Sequence, residues 1–142
     1  MLKDDILKGE SDTLEFKVTP SADSSKWLKT VVAFANCRGG RIVFGVTNVR
    51  EIKGLEGDLF AMKDAIADAV ADACEPAIPV TITGSTIEGK PIIVLEVPSG
   101  RMTPYYLKQK GEIDGVFVRH DATPRTADAM SLKELRVEGS GK

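Results

Sequence analysis

The sequence predicts one small α/β domain. Three observations lead there. The chain has 142 residues, the length of one domain. Helix-like and strand-like periodicities alternate along it, with no internal repeat and no low-complexity stretch. The segment from Glu10 to Gly54 reads as strand, helix, glycine turn and strand in succession.

Residues 2–8 read as a short amphipathic helix ended by Gly9. Thr13 to Val18 alternates, with Leu14, Phe16 and Val18 on one side and Thr13, Glu15 and Lys17 on the other. That is the pattern of a half-buried strand. Pro20 ends it. Asp23 and Ser24 are cap residues for a helix reaching Cys37. Trp27, Leu28, Val31, Phe34 and Ala35 form its packing face. Gly39-Gly40 closes the helix, because glycine accepts a left-handed cap. Arg41 to Thr47 follows as a mostly apolar, central strand. A second helix runs from Asp58 to Cys74 on a stripe of Leu59, Met62, Ile66, Val70 and Ala73. Val80–Thr86 and Pro91–Val97 read as a hairpin around Glu88-Gly89-Lys90. Short strands at Tyr105–Lys108 and Gly115–Arg119 come next, then a helix over Leu132–Val137 capped by Ser131. Residues 138–142 read as a linker, so the domain is expected over 1–137 with a further C-terminal region beyond.

The composition is that of a globular protein, 42% hydrophobic and 28% charged. No apolar run approaches the roughly 18 residues of a membrane-spanning helix. The acidic start, Asp4-Asp5, is unlike a signal peptide, and a cytoplasmic location is expected. Cys37 and Cys74 stand apart from any CxxC pattern and read as two buried, reduced thiols. With His120 as the only histidine, a multi-histidine zinc site is excluded. The net charge is −2, whereas a domain that coats DNA through phosphate neutralisation is basic. Nucleic-acid binding would need a local patch, an oligomer or another domain.

Several features carry possible chemistry. Gly84 to Lys90 has the spacing of a P-loop, but Pro91 replaces the Mg²⁺-binding hydroxyl and a strand follows instead of a helix. It reads as a hairpin turn. Asn36, Gly39 and Gly40 make a candidate ligand loop, and ATP remains open there, although the helix C-terminus beside it disfavours phosphate. Glu10 and Glu15 are close enough in sequence to share a Mg²⁺ or Mn²⁺ ion, or to be a plain surface pair. Lys17, Lys26, Lys29, Arg38 and Arg41 are basic residues that could form one strip suited to a phosphate backbone. Tyr105, Tyr106 and Arg119 are a further candidate contact, with at least one tyrosine expected in the core. Asp64, Asp68 and Asp72 form a like-charged row, read as a solvated face that should not touch DNA.

The blocks Glu10-Ser-Asp-Thr-Leu-Glu15-Phe-Lys17, Val32-Ala-Phe-Ala-Asn36, Gly39-Gly40 and Phe44-Gly45-Val46 resemble the Schlafen AlbA domain. Gly54-Leu55, Pro104-Tyr-Tyr-Leu107, Val118-Arg119 and Ala127 fall where that family has its later motifs, so the likeness covers about residues 7–135. The resemblance implies a mixed β-sheet with helices packed on it. It implies a nucleic-acid-associated module, often preceding a winged helix in transcriptional regulators and often labelled ATP-binding or helicase-related. In animal Schlafen proteins the domain is a metal-dependent endoribonuclease using two glutamates and an aspartate. Carried over, those glutamates are Glu10 and Glu15, and the aspartate position holds Asn48, which offers a neutral oxygen only. His120-Asp121 after Arg119 also departs from the family, which has a glycine there.

The reading that results is a non-catalytic DNA- or RNA-binding module of a regulator, expected as a homodimer. The alternatives are a Mg²⁺- or Mn²⁺-dependent endoribonuclease, an ATP-binding domain, and a purely structural dimerisation module.

Overall fold

The computed structural model describes residues 2–20 and 24–140. Its elements in chain order are α1 (Leu2–Lys8), β1 (Leu14–Lys17), α2 (Ser24–Asn36), β2 (Gly40–Phe44), α3 (Leu59–Ala73), β3 (Cys74–Glu75) and β4 (Thr81–Ile87). They continue as β5 (Lys90–Val97), β6 (Tyr106–Leu107), α4 (Gly111–Asp114), β7 (Phe117–His120), β8 (Thr123–Thr126) and α5 (Ala129–Gly139). A mixed four-stranded sheet, in the order β1-β2-β5-β4, organises the fold, and β3-β6 and β7-β8 form two small antiparallel pairs. β1 runs parallel to β2, and the other pairings are antiparallel.

The two faces of the sheet are covered by different layers. On one face Leu14, Phe16, Val43 and Ile92 pack with Ile6 of α1. On the other, Ile42, Phe44, Ile93, Leu95 and Val97 pack under α2 and α3. Trp27 of α2 meets Phe44 edge-on, with ring centroids 5.4 Å apart. The β7-β8 hairpin lies against α2 as well. Thr30, Val32, Ala33 and Asn36 are therefore buried beside the five residues expected to be.

This double cover corrects the expectation for the first strand. Glu15 was expected outside and Val18 inside. Glu15 is only 5% exposed, and Val18 is 46% exposed. α2 roofs the Glu15 face, while Val18 lies past the strand's last residue, Lys17.

Local signals otherwise match the elements. Gly9, at φ +92°, follows α1, and its N–H bonds the Ile6 carbonyl. Gly39, at φ +77°, ends α2 by bonding the Phe34 carbonyl. Asp23 falls outside the described residues. Asp58 caps α3 by accepting the N–H groups of Phe60 and Ala61. Glu88 and Gly89 both have positive φ, the two-residue turn expected between β4 and β5. The P-loop-like spacing is thus a hairpin. The last helix begins earlier than expected. Asp128, not Ser131, is its cap, and Ser131 donates its N–H to Asp128. That bond also holds the Asp128 carboxyl below its usual pKa. Glu138 and Gly139 continue this helix.

Cys74 is buried and Cys37 partly exposed, and both are free thiols. Burial pushes the Cys74 thiol up to about 12. In native protein at pH 8, a disulfide-exchange reagent should therefore titrate Cys37 promptly and Cys74 only on unfolding. Equal rates for both would contradict this packing. No helix among the described residues is long and apolar enough to cross a membrane.

Candidate functional site

The polar residues of the first block meet one buried ion pair. Glu15 projects from β1 toward α2, where the Thr30 hydroxyl lies 3.0 and 2.8 Å from its two oxygens. Arg119 arrives from β7, and its Nη1 donates to Glu15 Oε1 at 2.7 Å. Its Nη2 donates to the carbonyls of Ser11 and Leu14. The guanidinium carbon lies 4.9 Å from the centroid of the Phe34 ring. The Arg119 side chain is 1% exposed, and its Nε has no partner among the described residues. Lys17, two residues along the same strand face, brings its ammonium to 3.8 Å from Glu15 Oε2.

Glu10 does different work. Its Oε2 accepts the N–H of Phe16, at 2.9 Å. β1 is an outer strand of the sheet. Ser11 bridges Leu14 on that strand, so residues 10–12 fold back along its edge. Asn48 sits exposed in the turn after β2. Arg50 of that turn bonds the Leu7 carbonyl of α1, on the sheet face opposite Glu15.

This donor set does not suit a divalent cation. Both Glu15 oxygens already accept hydrogen bonds, and a guanidinium and an ammonium stand beside them. A metal there would face two positive charges. Among the described residues, no three His, Cys, Asp or Glu side chains gather closely enough to hold a metal ion.

The basic residues divide into two groups. Lys17, Lys26 and Lys29 stand near β1 and the N-terminal half of α2. Lys26 is one helical turn before Thr30 and exposed, on the side of the helix that faces Glu15. The Lys29 ammonium lies 5.6 Å from the Phe117 ring centroid. The other two are tied to acids elsewhere. Arg38 pairs with Asp12 at 2.8 Å. Arg41 pairs with Asp5 of α1 at 2.9 Å, across the sheet from Lys17, and holds the Asp5 carboxyl below its usual pKa.

The glycine loop is filled by the protein itself. A Cβ on Gly39 would come within 2.8 Å of the Val97 oxygen and Ser99 nitrogen. One on Gly40 would come within 2.7 Å of the Phe34 ring. Asn36 beside them is buried, with its amide nitrogen bonded to the Tyr105 and Phe117 carbonyls at 2.9 Å each. Its oxygen accepts the Tyr105 N–H at 2.7 Å. Tyr105 is the core tyrosine, and its hydroxyl accepts the Met102 N–H. Sequence reasoning missed the Glu15–Thr30–Arg119 cluster and the Asn36 clamp. The available signal was a threonine and an asparagine within an otherwise apolar helix.

These features define a mixed α/β domain whose polar centre is an internal ion pair flanked by lysines. The chain belongs to the Schlafen AlbA family: the family model described as "Schlafen, AlbA_2" matches residues 10–128. No curated protein matches it. Among solved structures it is similar to the N-terminal domain of a protein from Nitrosomonas europaea described as related to the ATP-dependent DNA helicase RecG. The identity is 25%, over 90% of this chain and 88% of that one, with a TM-score of 0.65. It shares its fold with the DIP2311 protein from Corynebacterium diphtheriae, at 16% identity and a TM-score of 0.63. That match covers 89% of this chain and 27% of the other.

Proposed function

We infer that this domain binds nucleic acid without cleaving it, as a homodimer and as the N-terminal module of a longer regulator. The observation that carries the reading is the group of Lys17, Lys26 and Lys29 around an internally neutralised carboxylate. Glu10 and Glu15 are balanced by Arg119 and Lys17, so Lys26 and Lys29 give the region a positive excess on a chain of net charge −2. A patch of this size gives modest affinity with a salt dependence set by a few phosphates. Family membership and the helicase-related name of the Nitrosomonas protein support the setting.

Fluorescence anisotropy with duplex DNA, single-stranded DNA and RNA across salt concentrations tests the reading. Each of Lys17→Ala, Lys26→Ala and Lys29→Ala should weaken binding and lower the slope of log K against log salt by about 1. Arg41→Ala, on the far face, should leave the slope unchanged. No binding to any of the three at about 50 mM salt would overturn it. Discrete tRNA fragments in Mn²⁺ that vanish with Glu15→Gln, in a variant that melts as wild type does, would replace it with an endoribonuclease.

A further inference from the structure

We propose that β4 is the homodimer interface, and that two copies join antiparallel along it into one continuous eight-stranded sheet. The inference rests on the homodimer of the proposed function and gives that dimer its surface.

The two outer strands of the sheet are treated differently. β1 is covered: Ser11 bridges it and Glu10 takes its Phe16 N–H. β4 is not. Among the described residues, it makes no ladder except the one with β5. Its seven residues, Thr81–Ile87, include no charged residue and no proline, the usual means of keeping a bare edge from pairing. Most of the strand is exposed.

The outward groups have two-fold symmetry about Gly84. The two-residue turn makes Ile87 and Lys90 a hydrogen-bonded pair. Thr81, Thr83 and Ser85 then also point their backbone groups at β5, leaving those of Ile82, Gly84 and Thr86 facing outward. Laid antiparallel on itself about Gly84, the strand sets Gly84 against Gly84 and Ile82 against Thr86. It also sets Thr83 beside Ser85. Every outward donor meets an acceptor, and the flanking pairs are hydroxyl with hydroxyl or hydroxyl with methyl. No like charges meet within the paired strands.

Gly84 has no explanation within one chain. It lacks a positive φ, and a Cβ there would touch nothing within 4 Å. A strand glycine can mark the close approach of another backbone, and the β4–β5 ladder runs through Gly84 with no bulge to account for it. Beside it, Phe60 of α3 is 79% exposed. It forms a groove of about 330 Å³ with Lys63 and Gly84–Thr86. A partner strand along the edge covers this ring and supplies the apolar centre that an interface needs. β4 and β1 lie at opposite ends of the sheet, so pairing leaves Lys17, Lys26 and Lys29 open.

Sedimentation equilibrium across the micromolar range should find a wild-type dimer. Gly84→Lys places two like charges on the symmetry axis and should weaken association at least tenfold, with an unchanged circular dichroism spectrum. Gly84→Cys places two thiols on Cα atoms about 5.5 Å apart, within disulfide range. In a Cys37→Ser background, mild oxidation should link it into a covalent dimer, and Cys37→Ser alone should stay unlinked. A wild-type monomer at every concentration would overturn both the dimer and its interface. A dimer indifferent to Gly84→Lys, or a Gly84→Cys protein that does not cross-link, would overturn β4 alone.

Discussion

Arg119→Ala is expected to destabilise the domain by about 3–5 kcal/mol, the cost of breaking a buried ion pair by removing one partner. The melting temperature should fall by roughly 10 °C or more for a chain of this size. The loss is large because Glu15, 5% exposed, would keep its charge with Thr30 as its remaining buried partner. The carbonyls of Ser11 and Leu14 would lose a donor at the same time. Glu15→Gln should destabilise too, since it leaves a guanidinium with 1% side-chain exposure uncompensated. The apolar pair Glu15→Leu with Arg119→Leu should cost clearly less than the sum of the two single changes, because neither charge is then left alone. Urea or thermal unfolding of the four proteins measures this cycle. Additive losses would mean that the pair does not couple and that Glu15 is held for another reason. A Glu15 kept for catalysis gives the opposite signature, with activity lost and stability retained.

Asn36→Leu is the second large effect, at about 3 kcal/mol or more. It strips partners from the Tyr105 and Phe117 carbonyls and from the Tyr105 N–H, and a buried polar group left unpaired costs about 1–3 kcal/mol. Asn36→Asp is the sharper probe. It keeps the shape but offers no donor when ionised, so two carbonyls would face a negative charge. It should be at least as damaging as Asn36→Leu at pH 7 and should partly recover in acid, where the carboxyl regains a proton. An Asn36→Asp protein as stable as wild type would show that the amide does not hold these strands. Because Asn36 belongs to the glycine loop, this stability loss also separates a structural role from an ATP contact. An ATP contact would change nucleotide affinity without moving the melt.

The two clusters explain where sequence reading succeeded and where it stopped. The apolar spacing of α2, the alternation of β4 and β5, and the glycines at 9, 39 and 89 act on their own neighbours. Periodicity and φ preference therefore made those elements legible, including the hairpin that rules out a P-loop. The short elements β3, α4 and β8 were missed, since Cys-Glu, Gly-Glu-Ile-Asp and Thr-Pro-Arg-Thr carry no apolar alternation of the kind that marked the equally short β1, β6 and β7. The polar residues were harder. Glu15, Thr30 and Arg119 look like surface residues taken one at a time, and 104 positions separate the two that form the ion pair. Asn36 reaches partners 69 and 81 positions away.

The sequence by itself determined the α/β class, the strand–helix–strand core from Glu10 to Gly54 and the family, because these depend on short-range apolar pattern and recognisable blocks. The tertiary structure alone decided what the charged residues do. It turned Arg119 inward, spent Glu10 on the edge of β1, and sent Arg38 and Arg41 to acids away from the three lysines. A charge takes its role from whatever stands within a few ångströms of it, and here those neighbours come from distant parts of the chain.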